Sequence, residues 1–292
     1  MTVVIPVVTD LGHVVSTLEY LERERESFAL AVLAVSRLAP AVGASVVARF
    51  PWLLWEQVDA DTSIPAMRAV GVARADTEVI AFLEDHVHVP PGWARTMCER
   101  VEATGAVVAG PVDDASTSFS ARAAFLCEYS AALPPVASGP QPFLPGNNTG
   151  YPAALLRLHR SLLEEGAWED ELHTALRGQG VGLQLEQGVR ADHALEVGAG
   201  EYSRLRYHYS RAWAGRRSRG APFARRVMGV LKSLVLPPVL LARVVGRGLR
   251  RKRYRGMALI SLPLQVLFVV AWAAGELVGN LAGPGRSLTK VR

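Results

Sequence analysis

Cysteine is scarce. The 292 residues hold two, Cys98 and Cys127, which excludes a disulfide-stapled scaffold or a thiolate zinc site and fits a reducing compartment. Lysine is nearly missing as well, at three of 32 basic residues, a compositional bias without functional weight. Only 20% of the chain is charged while 50% is hydrophobic, which excludes intrinsic disorder and leaves ample material for a core. Acid is nearly absent from the last third. After Glu201 the sole acidic side chain is Glu276, against 19 basic ones, whereas residues 1–201 carry 26 acidic and 13 basic residues. The net charge of +5 therefore averages an acidic body and a basic attachment region. That distribution argues against an even coat for nucleic acid, and no nucleic-acid partner is expected. No basic segment precedes Val3-Val4-Ile5-Pro6-Val7-Val8, so this run reads as a buried first strand rather than a secretory leader. The body is expected to remain in the cytoplasm.

The pattern along the body alternates. Val14, Leu18 and Leu21 give residues 14–38 a helical spacing,. Ser45-Val46-Val47 and Leu53-Leu54-Trp55 are short runs that read as strands. Ser63 and Pro65 open a helix from Ile64 to Ala75, and Val79–Leu83 is a short apolar strand ending in Glu84-Asp85-His86,. A helix from Pro91 to about Ala103 and a strand at 106–110 follow. This order predicts an α/β domain with a mostly parallel sheet and helices on both faces. Residues 113–150 are rich in Ser, Pro, Gly and Asn and read as loop. Helical patterns resume at Pro152–Leu163 and Glu169–Arg177.

The tail differs in kind. From Arg204 to Arg255 there are sixteen basic residues and no acid. Within it, Val227–Val245 is apolar but interrupted by Lys232, Pro237-Pro238 and Arg243. Met257–Leu281 is a mainly apolar run with one proline and one charge, Glu276, and is long enough to span a bilayer. With basic residues on both flanks, the first run is expected to be an interfacial or re-entrant segment broken at the two prolines. The second is expected to be transmembrane or membrane-embedded. An ordinary helical hairpin packed on the globular body is the alternative.

Three features sit where an α/β sheet builds a site, beyond the carboxyl ends of its strands. The first is Glu84-Asp85-His86 with His88 nearby, a donor set suited to a divalent cation (Mn or Mg), or equally a solvated acidic turn. The second is Trp168-Glu169-Asp170-Glu171, whose carboxylates could serve as a general base or simply cap a helix. The third is the polar loop Pro145-Gly146-Asn147-Asn148-Thr149-Gly150, able to offer backbone N–H groups or to be a plain turn.

In this order the features resemble the family 2 glycosyltransferases, which have the GT-A fold. The opening Val3-Val4-Ile5-Pro6 strand, the segment Ala66-Met67-Arg68-Ala69-Val70-Gly71-Val72-Ala73-Arg74-Ala75, the strand ending in Glu84-Asp85-His86, Pro90-Pro91-Gly92-Trp93, Gly146-Asn147-Asn148 and Glu169-Asp170-Glu171-Leu172 match the family's motifs over roughly residues 1–215. The family's acidic nucleoside motif after the second strand is absent, with Ser36 or Asp59-Ala60-Asp61 as the possible substitutes. Its metal motif, usually Asp-x-Asp, here ends in His86.

The resemblance implies an inverting transfer from a nucleotide-diphospho-sugar to a lipid-linked or cell-surface polysaccharide acceptor. The catalytic residues would be Asp170 as base with Glu169 beside it, and the metal ligands Asp85 and His86. Pro6, Arg68, Glu84, Asp85, Arg206 and Arg211 would contact the donor, and Trp93, Asn147, Asn148 and Trp168 the acceptor. Residues 1–215 would form the catalytic domain, 216–256 a basic interfacial segment, 257–282 the membrane helix and 283–292 a short tail, with membrane lipid as a further partner. A catalytically inactive, sugar-nucleotide-binding relative is the alternative.

Overall fold

The computed structural model describes residues 1–291, and the chain forms two compact units. The first comprises residues 1–115 and 132–195. Its strands are β1 (Thr2–Val7), β2 (Ala31–Ser36), β3 (Leu54–Gln57), β4 (Val79–Leu83), β5 (Val87–His88), β6 (Val107–Ala109), β7 (Val112–Asp114), β8 (Gly139–Pro140), β9 (Asn148–Pro152), β10 (Leu183–Leu185) and β11 (Ala191–His193). Eight form one sheet in the order β3-β2-β1-β4-β9-β6-β10-β8. Strands β1 to β4 run parallel, and β9 enters antiparallel between β4 and β6. The remaining three make a small sheet, β5-β11-β7.

Alternation along the strands assigns the helices to faces. Val3, Ile5 and Val7 of β1 pack in one cluster with Val14, Leu18 and Leu21 of α1 (Leu11–Ser27), Val46 of α2 (Pro40–Arg49), and Trp93 and Met97 of α4 (Trp93–Thr104). Val4 points the other way, toward α3 (Ile64–Arg74). A Cβ on Gly71 of α3 would stand 2.2 Å from Val4 Cγ1, so this helix lies on the sheet only because position 71 carries no side chain. Ser63 caps α3 as expected, its hydroxyl accepting from Ala66 N–H,.

Several local expectations are corrected. The helix expected over 14–38 stops at Ser27, and the chain turns extended at Phe28 to form β2. Ser45-Val46-Val47 belongs to α2, where only Gly43 and Val46 are buried, a spacing of three that suits a helix,. The stretch expected to be loop contains α5 (Phe119–Tyr129), capped by Ser118. Beyond β9, short α6 (Ala153–Leu158) and α7 (Arg160–Glu164) precede α8 (Glu169–Gly178).

The second unit holds residues 116–131 and 196–292: α5, α9 (Ala199–Arg217), α10 (Phe223–Arg250), α11 (Arg255–Ile260) and α12 (Leu262–Ala282). The boundary expected near 215 falls inside this unit, at the end of α9. Helix α12 packs on α9 through Gly275 and Gly279. A Cβ on Gly275 would meet Ser210 Oγ at 2.0 Å and the Tyr207 carbonyl at 2.2 Å, and one on Gly279 the Arg211 carbonyl at 2.6 Å. The small residues let the two backbones touch. Buried Gln265 of α12 donates to the Ala123 carbonyl of α5 (2.8 Å). Pro237 and Pro238, expected to break the basic segment, lie inside one continuous helix α10; each removes an N–H donor without ending it.

Candidate active site

The sheet order reverses between β1 and β4: β2 and β3 continue on one side of β1, and β4 opens the other. Such a reversal leaves a crevice at the carboxyl ends of the two strands. The registered pairing of β1 with β4 ends at Val4–Phe82, so the strands part beyond it. Asp85 bridges the gap. Its Oδ2 accepts from the backbone N–H groups of Val8 (2.7 Å) and Thr9 (2.8 Å), and its Oδ1 from His86 Nδ1 (2.9 Å). Burial opposes its ionisation, but His86 and the two amides outweigh that and hold Asp85 below the ordinary carboxylate range,.

His86 is turned by that bond so that Nε2 faces away from Asp85. Across from it stands His193, with Nε2 to Nε2 at 3.1 Å. Glu84 Oε2 completes the group, 3.3 Å from His86 Nε2 and 4.0 Å from His193 Nε2. His193 is carried by the small sheet: β11 pairs antiparallel with β5, and Ala194 N–H donates to the His86 carbonyl (2.9 Å). Burial opposes a charge on His86, yet the hydrogen bonds of Asp85 and Glu84 push it up to about 10. Burial and the neighbouring His86 cation hold His193 well below the usual range. The two shifts agree with the geometry: a protonated His86 donates to a neutral His193.

One carboxylate oxygen and two imidazole nitrogens within 4.8 Å of one another are a donor set that fits manganese or a similar divalent ion. Asp85, the other ligand expected from the sequence, is not in this group, because both its oxygens are engaged. It orients His86 from behind, as carboxylates do for metal-binding imidazoles. His88 also turns aside, stacked on Tyr20 at 4.3 Å with its Nε2 on Ser16 Oγ (2.9 Å). His193 went unread in the sequence, where Ala191-Asp192-His193 shows no pattern around it.

The second acidic cluster approaches through Arg68. This buried arginine donates from Nη1 to Glu169 Oε2 (2.8 Å) and from Nη2 to the Gly146 carbonyl (3.1 Å), and lies over the Phe82 ring at 5.2 Å. Burial opposes ionisation of Glu169, and Arg68 overcomes it, holding the carboxylate below its usual range. Glu169 by its ion pair and Glu84 by its charge both favour the charged form of Arg68, and Glu84 N–H donates to the Asn147 carbonyl beside Gly146. The loop between them is close-packed: a Cβ on Gly146 would stand 2.2 Å from the Glu169 carboxyl carbon. Asp170 follows Glu169 in the first turn of α8, where the helix dipole favours its negative charge.

The other residues expected at the site are placed as follows. Pro6 is inside β1, beside Val35. Trp93 is fully buried and donates to Asn148 Oδ1 (2.9 Å), and Asn148 Nδ2 donates to the Val189 carbonyl (2.6 Å). A buried indole needs such a partner. Trp168 is buried as the residue preceding α8. Asn147 accepts from Glu84 N–H through its carbonyl (3.3 Å), while both polar atoms of its buried side chain have no hydrogen-bond partner. Ser36 is buried with its hydroxyl accepting from Leu38 N–H, and Asp59 and Asp61 are exposed. In the second unit, Arg206 lies over Trp272 at 4.1 Å and pairs with Glu128 (3.9 Å), and Arg211 donates to the Gly283 carbonyl (3.3 Å). Both guanidiniums are thus engaged within their own unit.

Comparison with known proteins decides the fold. Solved structures that share it include GalNAc-T7 with UDP, GalNAc and Mn2+ (11% identity, TM-score 0.53, covering 67% of this chain and 44% of that one); S. aureus TarS 1-349 (10%, 0.52, 94% and 89%); and a mannosyltransferase, PcManGT from Pyrobaculum calidifontis, with GDP-Man and Mn2+ (14%, 0.57, 96% and 86%). The chain has the GT-A fold. It spans less than half of the GalNAc-T7 chain. No family model and no curated protein matches the sequence.

Proposed function

We propose that this protein is an inverting glycosyltransferase that moves a sugar from a nucleotide-diphospho-sugar to a lipid-linked or cell-surface polysaccharide acceptor at the cytoplasmic face of a membrane. The observation that carries the reading is the convergence of Glu84, His86 and His193 at the crevice of a GT-A sheet. These three residues would hold a divalent cation, whose chemistry is to offset the negative charge that grows on the departing diphosphate. Asp85 fixes the orientation of His86 and ties it to the end of β1. Glu169, bound to Arg68, braces the 145–148 loop rather than exchanging protons. The base is Asp170, which would take the proton of the acceptor hydroxyl and leave the sugar inverted by a single displacement. Asn147 retains an unspent donor and acceptor for a sugar hydroxyl.

Membrane association is supported by two helices with windows of mean hydropathy 1.7 and by how their charges are arranged. At 3.6 residues per turn, Arg225, Lys232, Arg243, Arg247 and Arg250 fall along one line of α10. Exposed Val235 and Leu231 are the apolar residues nearest that line, and Phe223, Val227 and Leu234 continue the apolar surface round to the opposite side of the helix,. A spanning helix would carry Lys232 and Arg243 into hydrocarbon, whereas a helix lying in the interface keeps the line of cations among headgroups. Helix α12 exposes Leu262, Val266, Leu267 and Val270 and packs its other side on arginine-bearing α9. That partner favours embedding in one leaflet over spanning.

The test is transfer from supplied sugar nucleotides with manganese present. Asp170→Asn is expected to lower turnover about 10²–10⁴-fold while donor-induced thermal stabilisation persists. Wild-type protein that binds a donor but transfers to no acceptor would refute the catalytic reading and leave a sugar-nucleotide-binding protein.

A further inference from the structure

Within the second unit, α9, α10 and α12 enclose a cavity of about 300 Å³ that the transfer reaction does not use. Its walls include Trp213 and Arg217 from α9, Arg225, Met228 and Lys232 from α10, and Glu276 from α12. Three cations face one carboxylate, so the cavity is cationic. Arg217 is stacked over the Trp213 ring at 4.3 Å. Arg225 and Lys232 are exposed and make no ion pair among the described residues. A pair of unpartnered cations around a concavity is a seat for a multivalent oxyanion, which accepts several charge-assisted hydrogen bonds at once.

The position of the cavity on α10 narrows the class. Arg225, Gly229, Lys232 and Leu236 line it at helical intervals of four, three and four, and so occupy one flank of the helix. Met228 also lines the cavity, is 50% exposed, and sits between that flank and the apolar stripe of Phe223, Val227 and Leu231. An anion in the cavity therefore has exposed hydrocarbon running away from it on one side. A free inorganic ion would have no use for that continuity, whereas a phospholipid matches both halves.

We propose that this cavity seats the phosphate-bearing headgroup of an anionic lipid, with its acyl chains along the exposed apolar stripe of α10. The proposal rests on the interfacial reading of α10 given above. It assigns Arg225 and Lys232 to the phosphate, with Arg217 held ready by Trp213.

Flotation of the full chain with phosphatidylcholine vesicles, with and without phosphatidic acid, tests it. Phosphatidic acid is expected to tighten binding about tenfold or more. Arg225→Gln with Lys232→Gln removes most of that gain. Arg243→Gln with Arg247→Gln, the same charge change on the same line of α10 but outside the cavity, keeps most of it. Equal losses in the two pairs would mean diffuse attraction and overturn the site. Both pairs are surface changes, and circular dichroism verifies their folding.

Wild-type protein that floats with no vesicle would refute the interfacial reading, and the cavity is then judged alone by thermal shift with soluble dihexanoyl phosphatidic acid. A shift lost in Arg225→Gln with Lys232→Gln upholds the headgroup seat. No shift, or an equal shift with inorganic phosphate, overturns it.

Discussion

His86 Nε2 and His193 Nε2 stand 3.1 Å apart although 107 residues separate them in the chain. That spacing is what two neighbouring ligands about 2.1 Å from one ion would have if they subtended roughly a right angle. Without an ion, the same distance is bridged by a proton. Both arrangements need His86 to keep its Nδ1 on Asp85.

Manganese is accordingly expected to raise the unfolding temperature of the wild-type chain, by the equivalent of about 2.7 kcal/mol at a hundred times its dissociation constant. His193→Ala, with one of three ligands gone, loses this stabilisation. Asp85→Asn keeps all three but releases the orientation of His86, and weakens manganese about 10–100-fold. Thermal unfolding at graded manganese concentrations checks both. Equal stabilisation of wild type and His193→Ala would place the ion elsewhere.

Arg68→Met leaves Glu169 buried without its cation and the Gly146 carbonyl without a donor. Breaking such a pair from one side costs about 3–5 kcal/mol; Glu169 retains 18% side-chain exposure, which favours the lower end. Urea unfolding of Arg68→Met alone and with Glu169→Met measures it. The double variant is expected to recover part of the loss, since no charge is then stranded.

His173 predicts a pH dependence outside the cluster. Its Nε2 meets Tyr151 Oη at 2.8 Å, and burial lowers its pKa from 6.5 to about 4. The unfolded chain binds the proton first as pH falls. The contribution of neutral His173 is therefore complete above about pH 6.5 and drains away down to about pH 4, some 3 kcal/mol in all. His173→Gln, which still offers Tyr151 an oxygen, should show a shallower loss of stability between pH 7 and pH 5. An identical slope in both proteins would remove His173 as the cause.

Gly275→Ala should destabilise the second unit by about 1–3 kcal/mol, because the added methyl meets a carbonyl of α9 that cannot move aside alone. Hydrogen exchange in α9 and α12 should rise, while amides of β1 and β4 stay protected. Uniform exchange across the chain would contradict a local effect.

Much of the first unit was legible from local chemistry. The apolar runs of β1 and β4, the Ser63 cap of α3 and the acidic opening of α8 all lie where residue type and spacing put them. The elements that escaped have no local signature. Helix α5 buries Ala121, Ala123, Ala124, Phe125, Leu126 and Cys127, so no polar face marks its period, and only Ser118 announces it. The apolar spacing of α1 runs on in the sequence into β2, and only the extended backbone at Phe28 separates them. Glu84 and His86 could be read because they end an apolar strand. His193 could not, because a three-residue strand acquires meaning only from β5 and β7. Asp85 misled for the opposite reason: the residue type suits a metal, but the amides of Val8 and Thr9 reach it first.

The small sheet has a further consequence. Its middle strand supplies the closing imidazole and is the last strand of the first unit to emerge during synthesis. Under the proposed function, a nascent chain halted before residue 191 therefore owns two of the three donors and would hold the ion more weakly. Tight capture of the proposed ion would then mark the end of assembly of that unit, with β4, β5 and the final strand brought together.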